Sequence, residues 1–187
     1  MELIYILIIF VVGFYLWYIN LVFKRNAVRR ALSGIDVQLK KRSNLLPNIL
    51  KIAKKFMEQE VALLKEVTAL RARAQKPYDS KDAASIEQHL KAVRDLDTSV
   101  GQLMVNVENY PELKSDQTMI NAQRTFNEVE EQIAAARRFY NSAVTELNNM
   151  VEIFPGNVLA NLVGIKSMPF YQADKNATKP INTDDYL

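Results

Sequence analysis

The chain has 187 residues, a net charge of +3, 49% hydrophobic residues, one histidine and no cysteine. The missing thiols exclude disulfides, cysteine catalysis and cysteine metal sites, and a lone histidine makes a poor metal ligand set. Five glycines leave no room for a glycine-rich phosphate loop.

Leu3 to Phe23 is an uncharged run of 21 amino acids, followed at once by Lys24 and Arg25. As a helix it is ~31 Å long, matching a bilayer hydrocarbon core of ~30 Å. Tyr15, Trp17 and Tyr18 gather toward its end, as an interfacial aromatic belt does. A cleaved signal peptide would want a basic start and a shorter apolar stretch, whereas here Glu2 precedes the run and the bases follow it. A core helix of this length would carry a charged face. The run therefore predicts a retained transmembrane anchor over residues 1–23.

Charge sets the orientation. Ten Lys/Arg against Asp36 alone give residues 24–55 a charge of +9, and with Glu2 counted, residues 56–187 carry −5. Bases just after a span hold that side in the cytoplasm. The expected topology is an outside N-terminus and a cytoplasmic body at a bacterial inner membrane. Lys24, Arg25, Arg29 and Arg30 then face anionic lipid headgroups. Nucleic acid is the competing partner for such a patch, but the patch abuts the apolar run and carries no nucleic-acid motif, so no nucleic-acid partner is expected.

A basic helical stem is expected over 24–46, then an antiparallel bundle over 47–171 and a flexible tail over 172–187. From Ile35 a 4-3 spacing runs Ile35, Leu39, Arg42, Leu46, Ile49, Ala53, Phe56, Glu60, Leu63, Val67, Leu70, Ala74. That is a long amphipathic seam. Pro47 interrupts it with a kink, or Asn44 caps a fresh helix there; the two readings stay open. Beyond the kink one helix is expected from Asn48 to Gln75.

A second seam, with Asp82 as cap, runs Ile86, Leu90, Val93, Asp97, Val100, Met104, Val107, and Asn109-Tyr110-Pro111 stops it. A third runs Met119, Ala122, Phe126, Val129, Ile133, Ala136, Tyr140, Val144, Leu147, Val151, capped by Ser115 or Asp116. After Phe154-Pro155-Gly156, Asn157 is expected to cap a short last helix. The third helix outruns its partner, and Phe154 to Tyr171 is expected to fold back over its exposed end, with Phe170 and Tyr171 plugging the bundle. The fold class is all-α: a transmembrane helix leading into three long antiparallel helices and a short fourth.

The chain resembles the LemA family of bacterial single-span membrane proteins. The similar stretches are Asp36-Val37-Gln38-Leu39-Lys40-Lys41-Arg42-Ser43-Asn44-Leu45-Leu46-Pro47-Asn48, Ala69 to Arg73, Glu108-Asn109-Tyr110-Pro111-Glu112-Leu113-Lys114, Glu130 through Ile133 to Asn141, and Phe154-Pro155-Gly156-Asn157. Their order and spacing agree from the anchor to Phe170. The resemblance implies one span and a cytoplasmic helical bundle, and it brings no catalytic motif. Some members are associated with membrane remodelling or membrane-protein quality control.

Arg42, Glu60 and Asp97 break apolar seams, and a charge on a packed face is costly unless paired. Glu60 and Asp97 are expected to find bases across the bundle among Arg71, Arg73, Arg94, Arg124 and Arg137, or else to reach water at the seam's edge. Asn44, Asn48 and Asn141 are expected to satisfy backbone groups freed at Pro47. His89 reads as a surface or boundary residue. Glu130 and Glu131 point about 100° apart on a helix and do not form a facing carboxylate pair.

No catalytic residue, cofactor or metal is expected, and the chain is read as a non-enzymatic scaffold. Ile35, Leu39 and Leu46 on the stem have few intramolecular partners in this reading, so self-association through the stem into a homo-oligomer is expected. The alternative is an adaptor or regulator of another membrane protein, such as a membrane protease or an envelope-stress component.

Overall fold

The computed structural model describes residues 1–171. The tail expected over 172–187 lies outside the described residues. Those described form helices, turns and loops: α1 (Glu2–Phe56), a 3-10 turn (Glu58–Glu60), α2 (Val61–Ala74), α3 (Ala83–Val107), α4 (Pro111–Ser115), α5 (Gln117–Glu152) and α6 (Gly156–Val163).

The architecture is all-α with a long apolar N-terminal helix, as expected, but the helices divide differently. α1 runs unbroken through Pro47 for 55 residues. The break comes at Met57, ten residues later, where the chain reverses. The expected single helix from Asn48 to Gln75 is therefore two antiparallel pieces. No Gly, Pro, Asn or Asp marks this turn. What fixes it is Met57 itself, fully buried at the far end of the core. The Lys54 and Lys55 charges in the last turn of α1 suit the negative end of its dipole.

The result is an up-down-up-down four-helix bundle. Pairings across the helices give the directions. Ser43 on α1 meets Arg71 on α2, Ser99 on α3 meets Glu66 on α2, Asp36 on α1 meets His89 on α3, and Lys24 and Arg42 on α1 meet Glu146 and Glu130 on α5. Caps act as anticipated at two helices: Asp82 accepts from the Ser85 N–H, and Asp116 from Thr118 and Met119. At α6 the cap differs. The helix already begins at Gly156, and Asn157 lies inside it, accepting from the Val158 N–H.

The stem is part of this bundle. Leu21, Val28, Leu32 and Ile35 are buried, packed in one cluster with Tyr140, Val144 and Leu147 of α5 and with Ile86, Leu90 and Val93 of α3. Ile35 and Leu46 are fully covered and Leu39 is partly buried. Their expected role as a free self-association face is thus corrected. α5 outruns α2 and α3, and the stem of α1 lies along the excess. A second cluster, Leu46 to Met57 with Val67, Leu96 to Val107, Met119 and Phe126, fills the far end.

After α6, residues 165–171 return along α5 as an extended strap. Tyr171 is buried against the bundle as expected, whereas Phe170 remains about half exposed. Gly164, at φ 68°, ends α6 in the left-handed conformation that glycine tolerates.

Candidate functional site

Between the two apolar clusters lies a charged layer. Arg42 is 2% exposed, and its Nη1 sits 2.5 Å from Asp97 Oδ1 and 2.9 Å from Glu130 Oε1. Asp97 also takes Arg137 Nη2 at 2.7 Å. The Arg137 guanidinium lies 4.4 Å over the Tyr171 ring, and the Tyr171 hydroxyl approaches Asp97 at 3.4 Å. Four segments, α1, α3, α5 and the strap, thus meet at one node. Burial by itself would lower the Arg42 pKa, but the carboxylates of Asp97 and Glu130 outweigh it and hold the guanidinium charged.

Of the seam-breaking charges, Asp97 does find a base across the bundle, Arg137 among the candidates, with Arg42 as a second partner. Glu60 does not. It sits half-buried in the 3-10 turn and makes no ion pair among the described residues. The turn moved it off the seam.

Next to the node is the answer to Pro47. A proline at 47 leaves the carbonyl of residue 43 without its helical N–H. Arg71 Nε donates to that Ser43 carbonyl at 2.8 Å, and the Arg71 and Gln75 side chains both donate to Ser43 Oγ. Asn44 and Asn48 are exposed and do not take this role. Asn141 is remote from it and instead pins the strap, accepting from the Tyr171 N–H at 2.8 Å and donating to the Tyr171 carbonyl at 3.0 Å. Asn148, seven residues on, treats Met168 in the same way. That spacing is two helical turns, and it was the available signal for Asn148.

A cleft of about 330 Å³ opens beside this layer, lined by Asp36, Arg71, Gln75, Tyr78 and His89 among others. The Tyr78 hydroxyl donates to Asp36 at 2.7 Å. Burial, then that bond to a carboxylate, pushes the Tyr78 phenol far above its ordinary value. His89 stacks on Tyr78 with ring centroids 4.0 Å apart, and its Nε2 lies 3.4 Å from Asp36. The histidine side chain is only 8% exposed, so it is more enclosed than a surface residue. No group of three metal-ligating side chains occurs among the described residues.

The basic residues after the apolar run differ among themselves. Lys24 pairs with Glu146 at 2.7 Å. Arg25 and Arg29 line a crevice of about 430 Å³ with Lys81 and Lys166 and with the acids Asp79 and Asp82, and the arginine Nε atoms have no hydrogen-bond partner among the described residues. Arg30 is exposed. The apolar run before them is uncovered from Leu3 to Leu16 apart from a few half-exposed positions.

Among the described residues, one helix long and apolar enough to cross a membrane, continuous with a four-helix bundle, defines a membrane-associated helical-bundle protein. The particular family follows from comparison with known proteins: the LemA family model matches residues 31–184, and the chain belongs to that family. The chain is 33% identical over 85 residues to magnetosome protein MamQ 2 of Paramagnetospirillum magneticum, a stretch covering 46% of this chain and 31% of that protein. It is 22% identical over 171 residues to magnetosome protein MamQ of Magnetospirillum gryphiswaldense, covering 81% of this chain and 63% of the relative. Protein LemA of Metamycoplasma hominis is 22% identical over 162 residues, covering 86% and 71%. The chain thus spans under a third of the first relative's length and under two thirds of the second's.

Proposed function

We propose that this protein is a non-enzymatic scaffold or interaction module that holds a rigid helical bundle against the cytoplasmic face of a bacterial inner membrane, with its N-terminus outside. The observation that carries the reading is the continuity of α1. One 55-residue helix serves both as the span and as the first helix of the bundle, and α5 clamps the stem between them. A bundle fixed in this way cannot swing from the bilayer as a tethered domain would. The +9 zone after the run favours the cytoplasmic side and anionic lipids, with Arg25, Arg29 and Arg30 as the contacts. The family membership and the magnetosome designation of the relatives are in keeping with a membrane-organising role.

Self-association remains part of this proposal, but not through the buried stem. The outer faces of the bundle offer Val105 and Phe139, 67% and 76% exposed. The test is the mass of the full-length protein in nanodiscs. A defined homo-oligomer that Phe139→Glu dissolves supports the scaffold. A monomer rules out self-assembly as the mechanism. The second reading, an adaptor for another membrane protein, is favoured by the cleft at Asp36, Tyr78 and His89, whose largely apolar walls carry a few polar groups and leave room for a partner's side chains. A monomer that co-purifies with a stoichiometric membrane protein would support it.

A further inference from the structure

We propose that the corner made by the end of α5 and by α6 is embedded in the cytoplasmic leaflet, as a second and shallower membrane anchor. This rests on the reading that α1 spans a bilayer with the bundle on the cytoplasmic side.

The argument is one of length. The apolar run Leu3–Phe23 is ~31 Å, but only Leu3–Leu16, ~21 Å, stands clear of the bundle. A hydrocarbon core of ~30 Å is not crossed by the clear part alone. At Trp17 the bundle has already begun: a Cβ placed on Gly156 would lie 3.2 Å from Trp17 Nε1. Leu21 is fully buried in the cluster that includes Leu159 and Ala160. Whatever packs on Trp17 therefore lies ~9 Å on the hydrocarbon side of Phe23. That depth falls within the ~5–10 Å to which interfacial helices sink.

The chemistry of the corner suits that position. From Ile153 to Ile165 there is no charged residue. Gly156, Leu159 and Ala160 face the bundle, while Ile153, Phe154, Val158, Leu162 and Val163 point outward, uncovered by any described residue. Phe154 is 77% exposed and Leu162 72%. The nearby acid, Glu152, accepts a hydrogen bond from Ser167 on the strap. Charge resumes at Lys166, which shares a crevice with Arg25 and Arg29, one helical stretch above Trp17 at headgroup height. An apolar wedge in one leaflet, below a crevice whose four bases outnumber its two acids, expands that leaflet alone, which ties the bundle to membrane curvature.

The chain has no cysteine, so single reporters are clean. Full-length Phe154→Cys, Leu162→Cys, Val105→Cys and Ile9→Cys proteins are labelled with bimane and reconstituted in phosphatidylcholine/phosphatidylglycerol vesicles. Quenching by doxyl-labelled lipids is compared with quenching by aqueous iodide. The expected result is several-fold stronger lipid quenching at 154 and 162 than at 105, by the shallower doxyl positions, with Ile9 quenched by the deepest ones. Iodide access at 154 and 162 with Ile9 still in lipid overturns the second anchor and leaves the span intact. Iodide access at Ile9 overturns both. Protection of 154 and 162 from both quenchers means protein covers the corner, a second copy or residues 172–187, and also overturns the proposal.

Discussion

Arg71 donates its Nε–H to the Ser43 carbonyl oxygen at 2.8 Å, the acceptor that Pro47 leaves empty. A side chain on α2 thereby repairs the backbone of α1, and a helix that proline could have stopped continues for two more turns. Leaving that carbonyl unpaired costs about 1–3 kcal/mol. Arg71→Ala is expected to lower stability by that amount, and by much less in a Pro47→Ala background, where the backbone N–H is restored. A double-mutant cycle by urea unfolding in detergent measures the coupling. Equal losses in both backgrounds would refute the repair.

The node at Arg42 is expected to be intolerant of change. Arg42→Met leaves Asp97 and Glu130 facing each other without the bridging guanidinium. Its cost is on the order of 2–4 kcal/mol, below that of a fully buried pair because both acids keep some contact with water. Arg42→Lys should be intermediate, since it keeps the charge, but an ammonium is more strongly hydrated than a guanidinium and costs more to bury. Unfolding midpoints of the three proteins give the order.

Three tyrosines should resist ionisation. Burial raises Tyr140, and burial reinforced by a carboxylate raises Tyr78 and Tyr171, each well above 10.0. The folded state therefore holds these protons more tightly than the unfolded one. Stability is complete below about pH 10 and declines as pH rises beyond it. Replacing Tyr78, Tyr140 or Tyr171 by Phe should each remove one delayed phenol from the tyrosinate absorbance of the native protein, and these three should titrate normally in denaturant.

The strap depends on two asparagines. Asn148 is 8% exposed and exchanges hydrogen bonds in both directions with Met168. Asn148→Asp removes the donor and buries a charge. Amide hydrogen exchange should accelerate at Met168 and Tyr171, while the α1–α2 turn keeps its protection. Uniform acceleration would mean global destabilisation instead.

Gly156 has no room for a side chain. A Cβ there would meet the Met150 carbonyl oxygen at 2.1 Å. Gly156→Ala is expected to push α6 off its seat at a cost of ~1–3 kcal/mol, as overpacking does. Trp17 is the only tryptophan, so its emission should shift with the thermal midpoint. An unchanged emission would show that α6 does not rest on Trp17.

The sequence by itself determined the long apolar N-terminal helix, the helical class, the seams of α3 and α5, and the caps at Asp82 and Asp116. These are local: apolar run length, a 3.6-residue period, and side chains that bond amides two or three residues away. The charges at Arg42 and Asp97 were also legible as misfits on apolar faces, because an isolated buried charge demands a partner. Which partner was not legible, nor that Pro47 would be repaired from α2. The turn at Met57 carried no local signal, and the 4-3 spacing ran straight across it. The stem's apolar residues looked free because their cover, α5, lies about a hundred residues away in sequence. Tertiary packing alone decided these points. Only where the helices came to lie settled which carbonyl, charge or apolar face would find a match.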